Sequence, residues 1–112
     1  SVAKAMDTIR AEMPADSAAA HGLIVDCSHG NSGKDEHRQA QVVRDIAGRI
    51  AKGEQGITGI MMESFIEGGN QKAAPIDQLV YGKSITDKCL SWNTTEQLLR
   101  ELAHAVAARR WK

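Results

Sequence analysis

Apolar residues recur at helical spacing in three stretches of this chain and bunch into short runs in three others. Val2, Ala5, Met6, Ile9 and Met13 predict an amphipathic helix over residues 2–13. Pro14 ends it, and Ala15 to Ala20 form a small-residue connector. Val43, Ile46, Ala47 and Ile50 give the buried stripe of a second helix over 35–52, with Gly53 as its C-terminal stop. Asp35 and Glu36 suit the positive end of that helix, and Arg49 and Lys52 the negative end. A third helix over 94–109 carries Leu98, Leu99, Leu102, Ala103 and Val106 on its apolar face. Asn93 is its expected cap, with Glu96 three residues on.

Between the helices lie the short runs. Leu23-Ile24-Val25 lacks inside/outside alternation, which suits a parallel strand covered on both faces. Ile57 to Met62 and the shorter Ser84-Ile85-Thr86 read as a second and third strand. Strand, helix and strand in succession form a right-handed parallel unit. Residues 65–83 break the rhythm: Gly68-Gly69-Asn70 and Pro75 forbid a long helix, leaving at most a helical turn or short strand at Ile76 to Val80. Each predicted strand runs into polar residues. The first ends in Asp26-Cys27-Ser28-His29-Gly30-Asn31-Ser32, the second in Glu63 and the third in Asp87. Parallel α/β sheets place their chemistry beyond the carboxyl ends of strands.

Composition narrows the possibilities. At 112 residues the chain is one domain at most. Fourteen basic residues balance fourteen acidic ones, so no electrostatic footprint suggests nucleic acid or an anionic membrane. No apolar run approaches the length of a membrane span. Cys27 and Cys89 are too few for a disulfide framework and read as buried, reduced thiols of a cytoplasmic protein. An aromatic content of 4% is thin for a self-sufficient small core, which hints at a part of something larger. Trp92 is expected under the last helix, Trp111 at a loose terminus, and His21, His37 and His104 at the surface.

One imidazole and two carboxylates at neighbouring strand ends suit a divalent ion such as Mn, Fe, Co or Zn, with His29, Glu63 and Asp87 as ligands. The alternative is a hydrogen-bonded histidine beside two solvated carboxylates. Asn31-Ser32-Gly33-Lys34 opens a helix and could cradle a phosphate, although a capped turn is the simpler reading.

Four blocks together carry a family likeness. Asp26-Cys27-Ser28-His29-Gly30-Asn31-Ser32 resembles the D-x-S-H-x-N-S segment of the 3-deoxy-D-arabino-heptulosonate 7-phosphate (DAHP) synthases. Gly59-Ile60-Met61-Met62-Glu63-Ser64 is similar to their G-[IV]-M-[IV]-E-S segment, and Glu67-Gly68-Gly69-Asn70-Gln71 to their E-G-N-Q loop with one glycine added. Tyr81 to Trp92 resembles Y-G-K-S-I-T-D-x-C-[IL]-x-W. The resemblance implies the C-terminal part of a (β/α)8 TIM barrel, about three parallel strands with flanking helices spanning residues 1–112. A whole barrel needs roughly 250 residues.

The implied activity is condensation of phosphoenolpyruvate with erythrose 4-phosphate, the first step of the shikimate route to aromatic amino acids. It also implies a metal held by a cysteine, a histidine, a glutamate and an aspartate. The last three map onto His29, Glu63 and Asp87; neither Cys27 nor Cys89 matches the cysteine. Asp26, Ser28 and Asn31 are then candidates for substrate contact or for supporting the ligands. The isolated chain is expected to be inactive and to form a homo-oligomer through faces that a whole barrel would cover. A non-catalytic α/β interaction module is the alternative.

Overall fold

The computed structural model describes residues 2–12 and 22–111. Met13, the Pro14 stop, the Ala15–Ala20 connector and His21 lie outside them. In chain order the elements are α1 (Val2–Glu12), β1 (Leu23–Asp26), α2 (Glu36–Ala51), β2 (Ile57–Met61), a 3-10 turn at Ile76–Gln78, and α3 (Trp92–Arg110). All three helices fall where the apolar periodicity put them.

Strands β1 and β2 pair in parallel, with Val25 opposite Ile60 and Asp26 opposite Met61. The register slips by one between Leu23 and Ile24, where Thr58 turns out and donates to the Leu23 carbonyl at 3.2 Å. The predicted third strand does not form. Ser84 makes only a bridge to Asn70, and residues 85–87 bend. Parallel pairing next to β2 comes later, at Leu90: its N–H donates to the Glu63 carbonyl at 2.8 Å, and its carbonyl accepts from Phe65 N–H at 2.9 Å. Three residues bounded by bends are too few to hold a ladder without a flanking strand. The chain meets β2 again only after Asp87.

The core lies between the sheet and the α2/α3 layer. Val43, Ile46, Ala47 and Ile50 pack with Cys27, Ile57, Leu90, Leu98 and Ala105. Helices α2 and α3 run in the same sense. Glu36 and Thr94 line one cleft at their N-terminal ends, and at the other end Arg109 donates to the Glu54 carbonyl at 3.1 Å. Arg44 and Glu101 bridge them at 3.3 Å in between. The opposite sheet face has no cover among the described residues, and Ile24 is 73% exposed, so covering on both faces is not seen here. Helix α1 closes the lower end of the sheet with Met6 and Val2. A Cβ at Gly56 would sit 3.0 Å from Met6 Cγ, so a side chain there would crowd the seat of α1.

The helix ends partly correct the sequence reading. Asp35 caps α2, accepting from His37 N–H at 2.8 Å and Arg38 N–H at 3.2 Å. Gly53 follows the Lys52 cap at φ +111°, a conformation that favours glycine. Ser91, not Asn93, caps α3 by accepting from Thr94 N–H. Trp92 therefore begins the helix facing outward, 53% exposed rather than packed beneath it. Leu98 is fully buried, whereas Leu99 and Ala103 lie exposed beside the expected stripe and Ala105 takes a core position.

Candidate metal centre

Strand β1 stops at Asp26 because that side chain captures the chain that follows. Its Oδ1 accepts from the N–H of Ser28 at 2.8 Å and of His29 at 3.3 Å. Asn31 Nδ2 donates to the Asp26 carbonyl at 2.7 Å, and the buried Ser32 hydroxyl donates to the Ser28 carbonyl. Hydrogen bonds of its own thus tie the turn over 26–32. Gly33 and Lys34 follow with φ +62° each, and Asp35 then occupies the start of α2. The first N–H groups of α2 are already answered by that carboxylate, so 31–34 is a capped turn rather than a phosphate cradle.

His29 is aimed by the same aspartate. Asp26 Oδ2 lies 2.8 Å from His29 Nδ1. With the Nδ1 proton donated there, Nε2 presents its lone pair. Glu63 Oε1 stands 2.9 Å from Nε2, and Asp87 Oδ2 3.3 Å from it. One ligand atom from each of His29, Glu63 and Asp87 lies within 4.8 Å of the other two. A lone pair facing two carboxylate oxygens is repulsive unless a proton on Nε2 or a cation stands among them. The protein's electrostatics register this: His29 is driven toward its protonated form, first by the Asp26 hydrogen bond and then by the Asp87 and Glu63 oxygens, against some desolvation. Asp26 is held below the usual carboxylate range by the His29 and Ser28 hydrogen bonds. An imidazole with two oxygens, half open to solvent, is a donor set that can hold a divalent transition ion.

Of the other sequence candidates, Ser28 reaches the cluster, its hydroxyl donating to Glu63 Oε1 at 2.7 Å. Asn31 braces the turn instead. Neither cysteine belongs to the cluster. Burial, with the Asp26 charge adding to it, pushes the Cys27 thiol up to about 11, and burial raises Cys89 as well, so both stay protonated and inert. One residue of the site went unseen in the sequence. Gln39, on α2, is fully buried and its side-chain oxygen accepts from Glu63 N–H at 2.6 Å. Its signal was there to read: Gln39 precedes Val43, Ile46 and Ile50 on the same buried stripe, a polar residue in an apolar row.

Fold and site together define an α/β segment in which a histidine and two carboxylates from separate stretches of the chain come together in a group that could hold a metal ion. The chain belongs to the DAHP synthetase I family, whose model matches residues 3–100. A phospho-2-dehydro-3-deoxyheptonate aldolase of Corynebacterium glutamicum is 50% identical over 95 residues, covering 79% of this chain and 26% of that protein. The Phe-sensitive enzyme of that name from Escherichia coli K12 is 48% identical over 88 residues, covering 79% of this chain and 25% of its own length. The solved structure of the aldolase from Francisella tularensis SCHU S4 superposes with a TM-score of 0.72 at 42% identity, over 79% of this chain and 25% of that one. The chain thus spans about a quarter of the length of the relatives it matches. A Trp-sensitive relative from Enterobacter agglomerans is 49% identical over 87 residues, covering 78% of this chain and 25% of its own length. Among the described residues no helix is long and apolar enough to cross a membrane.

Proposed function

We propose that the chain is the C-terminal portion of a cytoplasmic DAHP synthase. In the intact enzyme it would complete a (β/α)8 barrel that condenses phosphoenolpyruvate with erythrose 4-phosphate, giving 3-deoxy-D-arabino-heptulosonate 7-phosphate and phosphate. The observation that carries this reading is the meeting of His29, Glu63 and Asp87, one from each of three separated blocks that resemble the family's motifs. His29 Nε2, Glu63 and Asp87 would hold a divalent ion of the Mn, Fe, Co or Zn type. When bound, such an ion supplies Lewis-acid polarisation of the sugar aldehyde.

The remaining work falls to the chain. Asp26 keeps the imidazole proton on Nδ1 and so keeps Nε2 free to ligate. Ser28 donates to the Glu63 oxygen nearest His29, which fixes that carboxylate's direction. The cluster faces solvent on one side, His29 being 40% exposed, which leaves room for substrate. The resemblance assigns the fourth ligand, a cysteine, and most of the phosphate-binding cations to segments outside this one. The chain alone should therefore bind metal weakly and make no product.

Calorimetric titration with Mn²⁺ tests the ligand assignment: weak binding should vanish in His29→Ala, and tight stoichiometric binding that survives the substitution would refute it. A coupled assay for the heptulosonate product tests the rest. An intact parent enzyme should turn over and this chain should not; comparable turnover by the chain would overturn the fragment reading.

A further inference from the structure

We propose that Gln39 is a positioning residue for the cation site, acting through the main chain of Glu63, with Ser28 completing the clamp on the side chain. The inference rests on the reading of His29, Glu63 and Asp87 as cation ligands. Glu63 lies two residues beyond the end of β2, and the β1–β2 ladder has closed with the Cys27 N–H to Met61 carbonyl bond at 2.9 Å. Its own N–H is therefore past the reach of β1. Gln39 answers that N–H from α2, and Leu90 N–H answers the Glu63 carbonyl from the other side at 2.8 Å. Both peptide groups of the ligand residue are gripped by different elements, and the Ser28 hydroxyl grips Oε1.

A carboxamide on a helix's core face costs free energy unless its polar atoms are matched. Its neighbours along the stripe, Val43, Ile46 and Ile50, are all apolar. An apolar residue at position 39 would fill the same space and leave the Glu63 N–H unanswered. The geometry thus gives Gln39 a task that packing does not. Groups that orient metal ligands typically change affinity about 10- to 100-fold when removed.

The test uses the whole chain with Gln39→Met, which keeps length and volume but removes the acceptor, and Gln39→Glu, which keeps an acceptor at the same reach. Val43→Ala is the control for general loosening of the α2 core. Two readouts are taken by NMR: hydrogen exchange at the Glu63 amide without metal, and broadening of the His29 imidazole signals as Mn²⁺ is added. Gln39→Met should exchange Glu63 faster by about tenfold or more, and should need about tenfold more Mn²⁺ for half-broadening. Gln39→Glu and Val43→Ala should leave the Glu63 amide more protected than in Gln39→Met. Unchanged Glu63 exchange in a folded Gln39→Met chain, or an unchanged Mn²⁺ midpoint, would overturn the proposal. If the wild-type chain shows no Mn²⁺ response while Gln39→Met still loses Glu63 protection, the cation reading fails and the backbone strut stands. Should Gln39→Met not fold, Gln39→Glu decides: wild-type protection supports the strut, and its loss refutes it.

Discussion

Two aspartates nine positions apart do similar work in this chain. Asp26 folds the chain back after a strand by taking the N–H groups of Ser28 and His29, and Asp35 starts a helix by taking those of His37 and Arg38. In each, a short side chain supplies an acceptor where the backbone has run out of one. Asp35 is held below its ordinary value by the Arg38 and then the His37 N–H. A carboxyl whose folded value is depressed stabilises the fold fully above its unfolded value of 3.8, and that contribution disappears as pH falls through the folded value. Asparagine caps a helix without titrating there. Asp35→Asn should therefore flatten the acid limb of a urea-midpoint-against-pH curve, followed by helical circular dichroism between neutral and strongly acidic pH. Identical acid limbs in the two proteins would show that the cap carries no charge linkage.

At the level of elements, the start of α3 offers a direct comparison. Ser91 is extended and accepts from Thr94 N–H, whereas Asn93 lies inside the first turn. Ser91→Ala should cost about 1 kcal/mol of stability and Asn93→Ala a few tenths at most, measured by chemical denaturation. A capping-box spacing to Glu96 pointed to Asn93; the start of the helix at Trp92 decides for Ser91. The same contrast runs through the rest of the fold. Helices α1, α2 and α3 and strands β1 and β2 were legible because burial on one face leaves a period in the residues. The third strand was not, because pairing beside β2 depends on where Leu90 meets Phe65 and Glu63, far apart in sequence. The loop over 65–83 was legible only as an interruption. Its order comes from Gln71, whose side chain bonds Val80 N–H at 2.9 Å and the Val80 and Lys83 carbonyls at 2.9 and 3.0 Å. A carboxamide that satisfies three backbone groups leaves no pattern of hydrophobicity. The candidate site divides likewise: the reading of strand ends singled out His29, Glu63 and Asp87, which do come together although no strand precedes Asp87, while Gln39 meets Glu63 through a main-chain group no motif names.

On the scale of the whole molecule, the described chain is elongated, 56 × 31 × 19 Å, and carries uncovered apolar surface. Ile24 on the bare sheet face is 73% exposed, and Ile76 and Tyr81 on the 65–83 loop are 89% and 88% exposed. Among the described residues the two-stranded sheet also leaves the outer edges of β1 and β2 without a neighbouring strand, a template for further pairing. Covering apolar surface is worth roughly 25 cal/mol per Å². The isolated chain should therefore associate at micromolar concentration, and Ile24→Lys should shift it toward monomer in sedimentation velocity. A well-folded monomer for the unaltered chain would rule this out. The spacing of the clustered residues also bears on the order of folding. His29 and Asp26 are three residues apart and meet as soon as the turn forms. Gln39 and Glu63 are separated by 24 residues, Ser28 and Glu63 by 35, and His29 and Asp87 by 58. Each closure restricts a longer stretch of chain before any contact rewards it. During refolding, helicity should accordingly recover before the cluster does, and a ligand to the cluster would count only chains whose last long-range closure is complete.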